Sequence, residues 1–216
     1  EENKRVADLI GIRQAARMTC VKPAGTTSLT FGTSSGIHAW HNKYYIRRIR
    51  VGKNEAIHTY LKIHHPDLVE DEFFRPHDTA VISVPQMAPY GALTRHESAL
   101  DLLARIKEVS EKWVTSGHRR GQNTHNVSAT ISIKERDWDT VGEWMWENRS
   151  CYNGLSVLPY DGGTYKQAPF EDCGRDDYEQ LKETLQKVDL TKVIEIDDNT
   201  NLTGELACAG GSCEIT

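Results

Sequence analysis

Two groups of residues in this chain of 216 residues have the types and spacing that chemistry requires. Cys208 and Cys213 stand four residues apart, separated by Ala-Gly-Gly-Ser. Two thiols on so pliable a spacer can close a disulfide without strain and exchange it with a disulfide elsewhere, which suits a carrier of reducing equivalents. Incidental surface thiols and half of a zinc site are the competing readings, and the zinc reading lacks a second Cys or His pair nearby in sequence. The second group is Lys22-Pro23-Ala24-Gly25-Thr26-Thr27-Ser28, followed by Gly32-Thr33-Ser34-Ser35-Gly36-Ile37-His38. Small residues and hydroxyls let backbone N–H groups approach an anion closely, and a helix opening at Thr26 to Leu29 would add its positive end. Phosphate binding is the expectation and an ordinary Gly/Thr/Ser turn the alternative, because no Gly-Lys-Ser/Thr ends the loop as a Walker motif would.

The remaining reactive side chains invite structural readings. Cys20, Cys151 and Cys173 stand alone, so the five cysteines do not form a disulfide scaffold. His38, His41, the pair His64-His65, His118 and His125 show no His-Glu-x-x-His spacing and read as structural or surface groups. Arg119 and Arg120 read as a solvated loop. Leu155 to Tyr165, with Asp161-Gly162-Gly163, is an apolar run emptying into a Gly-rich loop, either a site loop or a good turn. No nucleophile elbow, dinucleotide fingerprint or metal-binding pattern is found, and no metal is expected.

Positioning these residues requires a framework, and hydrophobic periodicity supplies it. Residues 97–116 carry a helical stripe of Ala99, Leu102, Leu103, Ile106, Val109, Trp113 and Val114, broken only by Ser110 and ended by Gly117. Residues 126–133 alternate Val127, Ala129, Ile131 and Ile133 with Ser and Thr, which predicts a strand with one buried face. A helix follows at about 137–148, with Trp138, Val141, Met145 and Trp146 inward, then a short apolar strand at 155–158. Earlier, residues 2–18 suit a helix with Val6, Leu9, Ile10 and Ile12 near its buried side. Strands are expected at 45–51 and 79–84, with a helix over 54–64 begun by Asn54 between them. The rhythm is that of an α/β domain over residues 1–188. Residues 189–216, rich in Asp, Asn, Thr and Gly, read as a flexible tail. The stretch from Leu190 to Cys208 would reach about 60 Å if fully extended.

Composition narrows the function classes. Lys and Arg number 26 against 31 Asp and Glu, a formal net charge of −5, so neither nucleic acid nor an anionic membrane is a default partner. No segment approaches the roughly 18 apolar residues of a membrane span, and the start has no signal-peptide core. A soluble, cytoplasmic protein is expected. The absence of an initiating Met suggests processing or a piece of something longer.

Several of these stretches occur in an order that resembles one family. Val21 to Ser28, Thr33 to His38, Asn126-Val127-Ser128-Ala129-Thr130, Asn153 to Asp161, Gln167-Ala168-Pro169-Phe170-Glu171 and Cys208 to Cys213 look like the C-terminal part of the large subunit of ribonucleotide reductase, in its adenosylcobalamin-dependent (class II) form. The likeness runs from about residue 18 to the end. It implies that the chain supplies the later part of a ten-stranded α/β barrel plus a redox-active tail. It also implies that Pro23, Ala24, Gly25, Thr26, Thr27 and Ser28 form the substrate-phosphate loop. Cys208 and Cys213 match the family's tail pair, which reduces the active-site disulfide after turnover and is re-reduced by thioredoxin or glutaredoxin.

The departures from the family are as informative. The family's radical-bearing Cys, its neighbouring Glu and Asn, the first reducing Cys and most of the cobalamin surface lie ahead of the phosphate loop, outside this sequence. No thiyl role falls to Cys20, Cys151 or Cys173. The resemblance therefore implies reduction of ribonucleoside di- or triphosphates to deoxyribonucleotides, for DNA synthesis, together with an N-terminal portion that binds most of the adenosylcobalamin. Class I enzymes carry a consecutive tyrosine pair on a late strand, where this chain reads Leu155-Ser156-Val157-Leu158-Pro159-Tyr160; Tyr44-Tyr45 is adjacent but misplaced. A non-catalytic redox or assembly module that delivers electrons through Cys208 and Cys213 is the main alternative, and a class I fragment the next.

Overall fold

A computed structural model describes residues 1–160 and 165–196, apart from the side chains of Thr26 and Leu29. The principal elements run α1 (Glu2–Ile10), α2 (Gly25–Thr30), β1 (Tyr44–Gly52), α3 (Ala56–His64), β2 (Val69–Asp71), β3 (Thr79–Met87), α4 (Ala99–Val109), β4 (Thr130–Ile133), α5 (Trp138–Glu147), β5 (Ser156–Pro159), β6 (Phe170–Asp172) and α6 (Arg175–Leu185). They form two compact units, residues 1–39 with 96–160 and residues 40–95 with 165–196.

The core of the first unit is the alternating strand predicted from sequence. Val127, Ala129, Ile131 and Ile133 are buried against Leu102, Leu103 and Ile106 of α4 and Val141 of α5. Burying each large aliphatic side chain contributes about 1.5–3 kcal/mol, so this interface holds the unit together. β4 is shorter than expected, because regular pairing begins at Thr130 and Val127 makes only an isolated parallel bridge to Val21. β4 and β5 pair in parallel, Thr130 opposite Ser156 through Ile133 opposite Pro159. α4 opens on a capping box, with the Ser98 hydroxyl accepting from the Asp101 N–H and the Asp101 carboxylate accepting from the Ser98 N–H.

Expected burials are corrected at three places in this unit. α4 gives way at Ser110 to a π turn, Ser110–Val114, in which the Thr115 N–H donates to Ser110 O. The extra residue per turn swings Trp113 outward, leaving it 54% exposed, and carries Val114 into the core. On α5, Trp138 and Trp146 are exposed, and Trp144 packs on the core beside Met145. The predicted helix over 2–18 stops at Ile10, where Gly11 takes the left-handed conformation at φ 71°. Only Ala7 of α1 is buried, while Leu9, Ile10 and Ile12 are exposed.

The second unit departs from the expected α/β alternation. Its sheet is antiparallel throughout, in the order β2-β3-β1-β6, with β1 and β3 in register over nine residue pairs from Tyr44–Met87 to Gly52–Thr79. α3 and α6 cover one region, where Tyr60, Leu61, Leu68, Val69, Ala80 and Ile82 pack with Leu181, Leu185 and Val188. α3 begins at Ala56 with Glu55 rather than Asn54 before it, and the Glu55 carboxylate accepts the Gly52 N–H at 2.7 Å. The stretch expected to start the tail is anchored here. The Asp189 N–H donates to the Tyr60 hydroxyl at 3.0 Å, and Val193 packs on the same core.

Gln167 closes the second unit and was not singled out for this role by its sequence. It is 6% exposed and sits at φ 58°, in the left-handed region. Its amide donates to Asp71 O and accepts from Phe73 N–H, both at 2.8 Å. The side chain thus replaces a neighbouring peptide at the end of β2, giving the Asp71 carbonyl and the Phe73 N–H their partners.

Candidate functional site

The loop Lys22 to Ser28 follows the bridge at Val21, which is held by Val21 N–H to Asn126 O at 3.5 Å and Ser128 N–H to Val21 O at 3.1 Å. α2 starts at Gly25, ahead of the expected Thr26 to Leu29, and has six residues. Its first helical bond runs from Ser28 N–H to Ala24 O, so the amides just before it have no acceptor within the helix. So short a helix has little macrodipole, and the loop's capacity for an anion rests on these amides and hydroxyls. Pro23, Ala24 and Gly25 are half-buried, and Thr27 is exposed. Ser28 is buried, and its hydroxyl donates to Gly25 O at 3.0 Å, so its proton is committed inside the loop. The side chain of Thr26 lies outside the described residues.

The stretch Thr33 to His38 forms a bracket behind that loop. Gly36 adopts φ 61°, and a Cβ there would stand 3.1 Å from Lys22 O, so the two loops touch backbone to backbone. The His38 ring fixes the bracket to the sheet. Its Nδ1 lies 2.9 Å from Ser35 O and its Nε2 accepts the Thr130 N–H at 3.1 Å. That pairing defines the neutral imidazole with the proton on Nδ1. Arg105 fixes the other side, donating to Ile37 O at 3.0 Å while paired with Glu97. Within this bracket the Ser35 hydroxyl oxygen is shut off from solvent and has no hydrogen-bond partner among the described residues.

The other reactive groups take structural positions. His41 and Arg95 both reach the Asp172 carboxylate, at 3.2 and 2.5 Å, and Asn42 donates to it at 3.0 Å. Burial pushes the Asp172 pKa up, but the Asn42 bond, the Arg95 charge and bond and nearby His41 outweigh it and hold it below the usual carboxylate value. Burial raises the thiol pKa of both Cys151 and Cys173, which favours unreactive thiols. No group of three His, Cys, Asp or Glu among the described residues could hold a metal ion. Cys208, Cys213 and Asp161 to Thr164 lie outside the described residues. No described helix is long and apolar enough to cross a membrane.

No protein-family model matches the chain. Curated relatives do, along nearly its whole length. The adenosylcobalamin-dependent ribonucleoside-triphosphate reductase of Lactobacillus acidophilus is 26% identical over 218 residues, covering 99% of this chain and 28% of the relative. The enzyme of the same name from Euglena gracilis is 26% identical over 216 residues, covering 97% of this chain and 28% of the relative. A crystal structure of a B-12 dependent (class II) ribonucleotide reductase superimposes with a TM-score of 0.73 at 25% identity, over 88% of this chain and 26% of that one. The chain is homologous to the class II ribonucleotide reductases. It spans just over a quarter of the length of these reductases, and its α/β fold is shared with the corresponding part of the solved reductase.

Proposed function

We propose that this reductase homologue is the C-terminal part of a class II ribonucleotide reductase, acting with an N-terminal portion to convert ribonucleoside triphosphates to their 2'-deoxy forms by thiyl-radical chemistry. The observation that carries the reading is agreement along almost the whole chain, in sequence with the triphosphate reductases and in fold with the solved enzyme. Residues 1–188 would contribute part of the ten-stranded barrel, to which the parallel β4–β5 pair and the Val21–Val127 bridge would belong. Pro23 to Ser28 would hold the substrate phosphates, with the Thr27 side chain exposed for contact and the Thr33–His38 bracket fixing the loop.

In the same reading, residues 189–216 form the redox tail. Oxidation of the Cys208 and Cys213 thiols to a disulfide would release two electrons and two protons to the spent active-site disulfide, and thioredoxin or glutaredoxin would restore the pair. Exposed apolar side chains on and after α1, among them Leu9, Ile10, Ile12 and Met18, support association with a further portion of the enzyme.

Adenosylcobalamin is the cofactor that the relatives' name carries. The groove that the described residues form beside α1 does not fit it. The groove beside α1, about 420 Å³ and lined by Val6, Ile10, Ile12 and Met18, falls within the ~300–1,000 Å³ of drug-sized pockets, too small for a corrin with its nucleotide arm. The N-terminal portion would hold most of it.

A reductase assay tests the proposal, with adenosylcobalamin, a ribonucleoside triphosphate and a dithiol reductant. The chain is assayed alone and mixed with a polypeptide corresponding to the preceding part of the relatives. Deoxynucleotide formed only in the mixture is expected. No product from a mixture that demonstrably associates would overturn it.

A further inference from the structure

Acidic residues make up 31 of the 216, yet residues 9–39 and 112–134 contain none, where that proportion would place about eight. The fold joins these two stretches. Met18 N–H donates to Gly117 O at 2.9 Å and Arg119 N–H to Ala16 O at 2.8 Å, Arg17 bridges His118, and Val21 bridges Val127. Side chains reinforce the seam, with the Thr19 hydroxyl on Trp113 O at 2.7 Å and the Arg119 guanidinium on Ala15 O and Gln14 O at 3.2 Å.

The result is a continuous strip of the first unit that bears Arg13, Arg17, Lys22, Arg119 and Arg120 without a carboxylate of its own. None of these five has an ion-pair partner among the described residues. In the second unit, by contrast, Arg48, Arg50, Lys53 and Arg95 each face a carboxylate. The overall charge of −5 therefore hides a local excess of positive charge. The strip leads through Val21 directly into Lys22 and the loop Pro23 to Ser28, behind which the Ser35 hydroxyl has no partner among the described residues.

We infer that this strip is an electrostatic entry for the polyphosphate arm of a nucleotide, in which Lys22 and Arg120 draw the terminal phosphates toward the Pro23–Ser28 loop. The inference rests on the phosphate-loop reading above and adds residues to it. Unpaired cations at the mouth of a site raise the local concentration of a polyanion, and Arg and Lys can hydrogen-bond its terminal oxygens. A long nucleic acid is a poorer fit, because Glu111 and Glu135 bound the second stretch and the chain is acidic overall.

The test is a calorimetric titration of the full chain with inorganic tripolyphosphate, a nucleoside triphosphate and the unphosphorylated nucleoside. Expected is binding of both phosphate compounds, tighter for the nucleotide, none for the nucleoside, and about tenfold weaker affinity when salt rises from low to physiological strength. Lys22→Gln with Arg120→Gln should weaken the nucleoside triphosphate by about tenfold and flatten the salt response, whereas Lys187→Gln in the second unit should change neither. A double variant that binds within twofold of the parent overturns the inference, as does a parent that binds neither phosphate compound. Equal affinity for tripolyphosphate and nucleotide overturns the assignment to a nucleotide. Gly25→Val separates the two readings. If it abolishes binding while the double variant does not, the loop stands and the strip falls; the reverse pattern removes the loop and keeps the strip.

Discussion

His38 Nε2 accepts the backbone N–H of Thr130 at 3.1 Å, so one imidazole ties the bracket behind the candidate phosphate loop to the first residue of β4. Thr130 is buried, and the ring accepts its N–H where regular strand pairing begins. His38→Phe keeps much of the ring volume and removes the acceptor. It should cost about 1–3 kcal/mol, the usual penalty of a stranded buried donor. At about 2–4 °C per kcal/mol for a chain of this size, thermal unfolding should move down by several degrees. An unchanged melting temperature would show that water replaces the ring.

Gly32 and Gly36 share φ 61° but differ in surroundings. A Cβ on Gly32 meets nothing within 4 Å, whereas one on Gly36 meets Lys22 O at 3.1 Å and Pro23 N at 3.4 Å. Gly32→Ala should therefore cost only the left-handed strain, about 1–2 kcal/mol. Gly36→Ala should cost more and also displace the Lys22–Pro23 peptide. Urea unfolding of the two variants checks the order, and equal losses would mean that the bracket does not press on the loop.

Asp172 predicts the acid limb of the second unit's stability. Its pKa is lowered in the folded chain, so the folded state favours the charged carboxylate. That contribution is complete above the ordinary value of about 3.9 and is lost as pH falls through the lower folded value. Below both values it vanishes. Asp172→Asn should flatten the dependence of stability on pH below the ordinary carboxylate value of about 3.9 while leaving Arg95 less well held. Chemical denaturation across that range measures it, and parallel curves for parent and variant would refute the role.

The tail dithiol separates two sources of electrons. In the reconstituted enzyme, Cys208→Ser should abolish turnover driven by thioredoxin and spare turnover driven by dithiothreitol, which reaches the active-site disulfide directly. Full thioredoxin-driven activity in the variant would remove Cys208 from the relay.

Local pattern made much of the first unit legible in the sequence. Val127, Ala129, Ile131 and Ile133 are buried as their alternation requires, and Leu102, Leu103 and Ile106 meet them from α4. The phosphate-loop residues lie together because they are contiguous. What escaped were features set by distant parts of the chain. The carboxylate-free strip needs both the Arg13–Lys22 and His118–Arg120 stretches, about a hundred residues apart in sequence, and either one alone reads as an ordinary polar loop. Gln167 gives no local sign that its amide will serve Asp71 and Phe73. The antiparallel sheet was obscured because the α3 that lies between β1 and β3 in sequence imitates the α/β rhythm, although the two strands pair directly with each other. Trp113 falls on the buried stripe of a regular helix, and no periodicity could announce the turn that moves it out.

That π turn bears on which lengths of chain the fold tolerates. Ser110–Val114 holds one residue more than an α-helix would need to join Val109 to Thr115. Loss of a single residue from this stretch would let the helix close into regular turns while both flanks keep their places. The same loss between Leu102 and Ile106 would rotate everything beyond it by about 100° and strip β4 of its cover. The helix thus has a place where a codon can be lost, set beside the seam that positions Thr19 and the segment leading to the phosphate loop.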